Sequence, residues 1–415
     1  MHFSTLAGLA ATCATAVSAV SVPKIPFPHF EQIKPKIMII SMFEPEAAVW
    51  HGIPEFDILE KNITVPGFSP LFPDVHCTAN GEICQLITGE SEINAAVTVA
   101  SLVATPLFDL TSTYFFIGGI AGINPEVATL GSVTFAKYAV QVALQYEFDP
   151  REIPANYSTG YIPQGATAPG EYPESIYGTE VFEVNEALRS LAVGFAKTAN
   201  LTDSASAKAY RANYAVSAAY AAGAAGPSVI ECDVATSDVY YSGKILGEAF
   251  GNFTRLLTNG SGVYCATAQE DNASLEALMR GAWMGLVDFS RIIVMRTASD
   301  FDRPYPGESA TFNLLWAHQG GFSPAVTNIY LAGVKVVQGI LDNWNTTFAQ
   351  GVNATNYIGD IFGTLGGVPD FGPGSIFGNE TATISPLARR SLKAQAMAKR
   401  TVAHRRQFLP ARYQE

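Results

Sequence analysis

The sequence predicts an α/β fold: a single domain built on a central mixed, mostly parallel sheet flanked by helices. Three observations lead there. Short apolar, branched runs recur along the chain and read as strands buried on both faces. Amphipathic runs at helical spacing lie between them, and strand–helix alternation is the pattern of a parallel sheet. At 48% apolar and 15% charged, the 415 residues carry enough hydrophobic material for one large core.

In chain order, residues 1–22 read as a secretory signal. Met1-His2-Phe3 is a short leader, an apolar run from Leu6 to Val17 comes next, and small residues surround Val17-Ser18-Ala19. Residues 23–35, with Pro23, Pro26, Pro28 and Pro35, read as an extended linker. The domain proper spans 36–350. Its strands are expected at 37–43, 83–88, 114–118, 133–142, 229–236, 262–266 and 291–297. Its helices are expected at 90–104, 184–198, 275–285 and 324–344. The stretch 147–180, rich in Pro, Gly and Tyr, reads as a long surface loop, of the kind that serves as a binding loop or lid. Residues 351–388 read as an irregular wrap and 389–415 as a basic tail.

Charge excludes one class of partner. The net charge is −12 and the pI near 5.0. Residues 389–415 hold eight Lys/Arg against one acid, so the preceding 388 residues hold 17 bases and 36 acids. Such a body lacks the electrostatic footprint of a nucleic-acid binder. The tail reads as solvated charge. A bilayer span needs about 20 mostly apolar residues; the best stretch, 93–123, is interrupted by Pro106 and Asp109 and broken by Gly118, Gly119 and Gly122. No membrane span is expected.

Nine Asn-x-Ser/Thr sites (Asn62, Asn156, Asn200, Asn252, Asn259, Asn272, Asn345, Asn353 and Asn379) behind a signal point to the secretory pathway and a secreted or cell-surface protein. Five cysteines become four once Cys13 is removed. Cys77 and Cys84 flank a turn and read as a disulfide; Cys232 and Cys265 read as a second disulfide or as buried thiols. Six scattered histidines and no Cys/His cluster predict no metal site, and nothing calls for a cofactor.

Acids collect where strands end: Glu44 and Glu46 after the first, Glu270 and Asp271 after the sixth, Asp300 and Asp302 after the seventh. In a parallel α/β sheet ligands sit at the carboxyl ends of strands. Carboxylates there can be tuned by burial, one as acid and another as base. The competing explanation is that each is a helix N-cap, which favours Asp at the same place.

These segments, in this order, resemble the nucleoside phosphorylase/nucleosidase superfamily, and within it the fungal purine nucleoside permeases. Residues 36–46 (KIMIISMFEPE) look like the opening strand of the related bacterial methylthioadenosine/adenosylhomocysteine nucleosidases. Residues 119–122 (GIAG) are similar to their central glycine-rich turn, 235–241 (ATSDVYY) to a segment touching the base, Gln269-Glu270 to a Met-Glu pair, and 296–300 to a Ser-Asp motif. The resemblance implies that Glu46 activates water, Glu270 holds the ribose hydroxyls and Asp300 protonates purine N7. It implies that Tyr240 stacks on the purine, that Tyr241 offers backbone contacts, and that Gly119, Gln269 and Ser299 also meet substrate. It further implies a homo-oligomer, a dimer or larger. Two departures stand out: Gln269 replaces Met, and Asp271 replaces Ala.

The expected function is therefore purine nucleoside binding with N-glycosidic cleavage, supporting uptake. Hydrolysis is favoured over phosphorolysis because there is no Arg before Arg151, where a phosphorylase needs a guanidinium fork for the dianion. Two alternatives stay open: a phosphate-dependent phosphorylase, and a non-catalytic binding accessory to transport.

Overall fold

Every residue of the first strand, β1 (Ile37–Ser41), is buried in a computed structural model that describes residues 31–369 and 371. The chain continues through α1 (Glu44–Ala48), β2 (Lys61–Thr64), β3 (Asp74–Cys77), β4 (Ile83–Ile87), α2 (Glu92–Ala104) and β5 (Tyr114–Ile123). Next come β6 (Val133–Ala136), β7 (Tyr138–Gln141), β8 (Gln145–Glu147), β9 (Tyr161–Pro163), β10 (Val181–Glu183) and α3 (Glu186–Ala196). Then come α4 (Ala205–Arg211), α5 (Ala221–Ala224), β11 (Val229–Glu231), β12 (Asp233–Thr236), α6 (Lys244–Leu257) and β13 (Tyr264–Ala268). The chain closes with α7 (Asp271–Met284), β14 (Ile292–Phe301), α8 (Ala310–Leu315), α9 (Phe322–Asp342) and β15 (Gly359–Asp360).

Thirteen strands join in one sheet, in the order β15-β10-β7-β12-β13-β5-β1-β4-β3-β2, with β14 bonded to β5 and β6, and β6 to β11. The hub is β5. Its first half lies between β1 and β14, both parallel to it. Its end pairs antiparallel with β13. Parallel pairing prevails around the hub, while the β2–β3–β4 margin and the β7–β10–β15 margin are antiparallel, so the sheet is mixed. Alternation along β1 feeds two cores. Met38 and Ile40 pack with Val99 and Leu102 of α2 and Leu275 and Leu278 of α7. Ile37 and Ile39 pack with Leu188 of α3 and Ile329, Val336 and Ile340 of α9. Helices therefore cover both faces, as an all-apolar central strand requires.

Several expectations change. The glycines at 118, 119 and 122 do not end their strand; β5 runs through them to Ile123. They are sites where neighbours need the room: a Cβ on Gly122 would lie 2.6 Å from Thr267 Oγ1. The runs 133–142 and 229–236 each divide in two. The Asp233 carboxylate fastens the breaks together, accepting the N–H groups of Lys137, Tyr138 and Val263. β14 extends to Phe301, so Asp300 lies within the strand. Helix α6 was not expected; Phe250, Phe253 and Leu257 form its buried face. Within the wrap, β15 adds to the edge of β10.

Both cysteine pairs are bonded, Cys77–Cys84 and Cys232–Cys265, which settles the open choice for the second. Seven of the nine Asn-x-Ser/Thr sites are exposed. Asn272 is buried, its amide donating to the Ala139 and Thr179 carbonyls, so the folded chain does not present it. Among the described residues one helix, α9, is long and apolar enough to cross a membrane; its apolar residues belong to the core beneath the sheet. The signal at 1–22, the linker up to residue 30, Asn379 and the basic tail lie outside the described residues.

Candidate functional site

β1 and β13 run toward one another along the same edge of β5. The register puts Ile40 of β1 opposite Ile117 and Thr267 of β13 opposite Gly122. Their carboxyl ends thus meet over residues 118–121. Glu46, on α1 just after β1, and Gln269-Glu270, between β13 and α7, converge there. From the other edge of β5, β14 brings Arg296 opposite Gly119 and Asp300 opposite Gly122. A cavity opens at this junction, lined by Met42, Glu46, Ile120, Tyr240, Gln269, Glu270, Arg296, Ser299 and Asp300 among others.

One end of the cavity is a cluster of charges around Arg296. The guanidinium, 2% exposed, donates through Nη2 to Glu270 Oε2 (3.1 Å), through Nε and Nη2 to Asp271, and through Nη1 to the Ile120 carbonyl (3.1 Å). Glu46 lies beside it, accepting the N–H groups of Met42 and Ile120, each at 2.7 Å. Burial pushes the Glu46 carboxyl up to about 7, and the Arg296 charge holds it from going further. Burial likewise raises Glu270, against the pull of Arg296. Glu270 occupies the N-cap position of α7 but makes no cap hydrogen bond; its carboxylate accepts instead from Arg296 and from the Ser91 N–H (3.1 Å). The helix-cap explanation therefore fails for this acid. Ser91 sits at φ 80°, ψ 160°, a region occupied almost only by glycine and found at functional sites when other residues adopt it.

Asp300 marks the other part of the cavity. It accepts Ser299 Oγ at 2.6 Å and the Tyr240 phenol at 3.0 Å. Burial raises its pKa, while these two hydrogen bonds work the other way. The Tyr240 side chain is 60% exposed on the loop between β12 and α6, so its ring stands at the rim with its hydroxyl turned inward.

Of the residues singled out in the sequence, Glu46, Glu270, Asp300, Gln269, Ser299, Tyr240 and Tyr241 all line this cavity. Gln269 turns its amide to the Asp238 carbonyl (3.0 Å). Tyr241 shares a hydrogen bond with Tyr264 (3.1 Å) and sets its ring against Phe250. Gly119 does not line it. A Cβ there would lie 2.6 Å from Glu46 Oε1 and 2.9 Å from Arg296 Nη1, so this glycine makes space for the charged cluster and does not face the cavity. Sequence reasoning misses Arg296. The available signal is a lone cation directly after the apolar run 292–295 of its strand, which has to find carboxylates when buried. Ser91 carries no sequence signal.

An α/β protein with a carboxylate-rich cleft at the hub of its sheet is the class that fold and cavity define. The chain belongs to the purine nucleoside permease family, whose model matches residues 34–353. It is 48% identical over 349 residues to the purine nucleoside permease of Candida albicans, covering 83% of this chain and 84% of that one. It is 42% identical over 320 residues to a probable purine nucleoside permease of Schizosaccharomyces pombe, covering 75% and 90%. Among solved structures it is similar to a methylthioadenosine/S-adenosylhomocysteine nucleosidase of Neisseria meningitidis, with a TM-score of 0.43, 15% identity, and coverage of 74% of this chain and 99% of that one. A likeness that loose carries no weight for the reaction.

Proposed function

We propose that the protein binds a purine nucleoside in this cavity and hydrolyses its N-glycosidic bond to free base and ribose. The observation that carries the reading is the pair of buried carboxyls with raised pKa, Glu46 and Asp300, in one cavity with Glu270. Cleavage of a glycosidic bond needs a base toward the attacking water and an acid toward the leaving group, and environments that tune separate carboxyls supply them. A water oxygen bonds to C1′ as the C1′–N9 bond breaks. The bonding pair leaves with the purine, Glu46 takes the water proton, and Asp300 gives a proton to N7. Glu270 holds the ribose hydroxyls. Tyr240 stacks on the base, worth on the order of 1 kcal/mol, and its phenol gives up Asp300 to the purine as the base enters.

The test is incubation of purified protein with inosine, adenosine and guanosine, with and without phosphate, and identification of the sugar product. Free ribose in the absence of phosphate is the expected result. Ribose 1-phosphate formed only with phosphate overturns hydrolysis in favour of phosphorolysis. The relatives' name favours a second reading, capture of nucleosides for transport without cleavage; saturable binding with intact nucleoside identifies it. We further propose a secreted or cell-surface location, supported by the exposed Asn-x-Ser/Thr sites and the two disulfides. A glycosidase-sensitive mass on the exported protein is expected; an unglycosylated protein confined to the cytosol refutes it.

A further inference from the structure

Asp271 is the member of the charged cluster that the proposed reaction does not use. It is fully buried in the first turn of α7 and lies behind Arg296, outside the cavity lining. Its two oxygens take the Nε and Nη2 donors of Arg296, the side-on edge with which a guanidinium grips an oxyanion. Glu270 takes the other Nη2 hydrogen and the Ile120 carbonyl one of those on Nη1. Four of the five N–H donors of this cation are thus held by the protein itself. The charge is outnumbered as well, since Glu46, Glu270 and Asp271 all face it.

We propose that Asp271 is a positioning residue that selects the nucleophile: by cancelling the Arg296 charge from behind, it denies phosphate a site beside Glu46 and leaves water as the acceptor of the ribosyl group. The inference rests on the glycosidic-cleavage reading. With water, oxygen bonds to C1′ and the sugar leaves as ribose. With phosphate, a phosphate oxygen bonds to C1′, the C1′–N9 pair and the Asp300 proton leave with the purine as before, and the sugar leaves as ribose 1-phosphate. The two outcomes differ only in which oxygen the Glu46–Arg296 end of the cavity accepts. Without the Asp271 charge, Arg296 presents an uncancelled cation to that end of the cavity, and a dianion is drawn there.

The experiment compares the full-length wild type with Asp271→Asn, Asp271→Glu and the double variant Asp271→Asn/Arg296→Gln. Each is given inosine with and without inorganic phosphate, the sugar product is identified, and phosphate binding is titrated by calorimetry. The wild type is expected to bind phosphate weakly and to release ribose alone. Asp271→Asn is expected to bind phosphate at least about tenfold more tightly, the scale of a hydrogen bond to a charged group, and to release ribose 1-phosphate in its presence. Asp271→Glu keeps the charge and restores the wild-type product, and the double variant loses the phosphate response. A merely structural Asp271 would alter stability or rate in these variants but not the identity of the sugar. If Asp271→Asn does not fold, Asp271→Ser, which also removes the carboxylate, is held to the same expectation. A folded Asp271→Asn or Asp271→Ser that binds no more phosphate than the wild type overturns the proposal, as does a wild type that already makes ribose 1-phosphate. A wild type that cleaves no nucleoside defeats the cleavage reading instead, and the phosphate titration then decides alone whether Asp271 masks Arg296.

Discussion

Two arginines seven positions apart, Arg296 in β14 and Arg303 just beyond it, are equally buried and differently used. Arg303 closes on its sequence neighbour, Nε to Asp302 Oδ1 at 2.8 Å and Nη2 to Oδ2 at 2.9 Å, with Glu126 at 3.4 Å on Nη1. Asp302 Oδ2 also accepts the Tyr264 phenol, and Gly247 has no side chain because a Cβ would lie 2.3 Å from Nη2. That is a closed pair, with the second acid, Glu126, partly in solvent. Arg296 is shared among carboxylates from α1, the β13–α7 junction and α7, and the cluster opens on the cavity. A closed pair fixes the chain, whereas in the cluster around Arg296 burial, only partly offset by the guanidinium, keeps Glu46 close to neutral pKa. A carboxyl buried without a cation of its own is what separates chemical from structural burial here.

The largest expected effect tests the chemical side. Glu46→Gln and Asp300→Asn each remove a group proposed to transfer a proton and should lower turnover about 10²–10⁴-fold while nucleoside affinity, read by calorimetry, changes little. Retained turnover in either variant would break the distinction, because that carboxyl would then be packing like Asp302. On the structural side, Arg303→Met strands the buried Asp302 carboxylate and should cost roughly 3–5 kcal/mol, read as a lowered denaturant midpoint. Restoring neutrality with Asp302→Leu in the same chain should recover most of that loss; no recovery would mean that Arg303 stabilises by other contacts.

The same contrast explains how much of the molecule is legible in its sequence. Acids at strand ends are visible because ligands of a parallel α/β sheet gather there, although a helix N-cap places an acid at the same position and only the structure separates the two. The apolar strands around the hub are visible too, because burial on both faces leaves no polar positions. Arg296 is hidden because its partners are 25 residues or more away in sequence, and only the head-on approach of β1 and β13 along β5 brings them to it. The glycines of β5 look like a turn and are not one. Glycine in a sequence signals missing bulk, and whether the space serves a bend or a neighbour depends on tertiary packing. α6 is legible too, since Leu246, Phe250, Phe253 and Leu257 recur at helical spacing, and nothing physical hides it.

A smaller effect comes from the raised carboxyls. Glu46, Glu92 and Glu183 are each pushed up to about 7 by burial, against about 4.3 in an unfolded chain. Between those values the folded protein holds more protons than the unfolded one, so stability is full below about pH 4.3 as far as these groups go and declines as pH rises toward 7. The thermal midpoint should therefore fall between pH 5 and pH 8, and less steeply in Glu46→Gln. Turnover should move the opposite way through this range, since Glu46 accepts a proton only when ionised. A thermal midpoint that rises with pH in this window would show that the cluster is not proton-loaded when folded.

The finest test concerns the residue that holds Glu270 from the helix side. Ser91 adopts φ 80°, ψ 160°, and such a conformation costs about 1–3 kcal/mol for a residue with a side chain. It secures a backbone N–H aimed at Glu270 Oε1, a donor that glycine also has. Ser91→Gly should therefore relieve strain and stabilise the protein by about 1 kcal/mol in denaturant unfolding, less whatever glycine adds to the freedom of the unfolded chain, with turnover unchanged. Ser91→Ala keeps the strain and the N–H and should leave both quantities where they are. If Ser91→Ala loses activity, the hydroxyl itself meets the ligand, and the N-terminus of α2 belongs with Arg296 on the chemical side of the molecule.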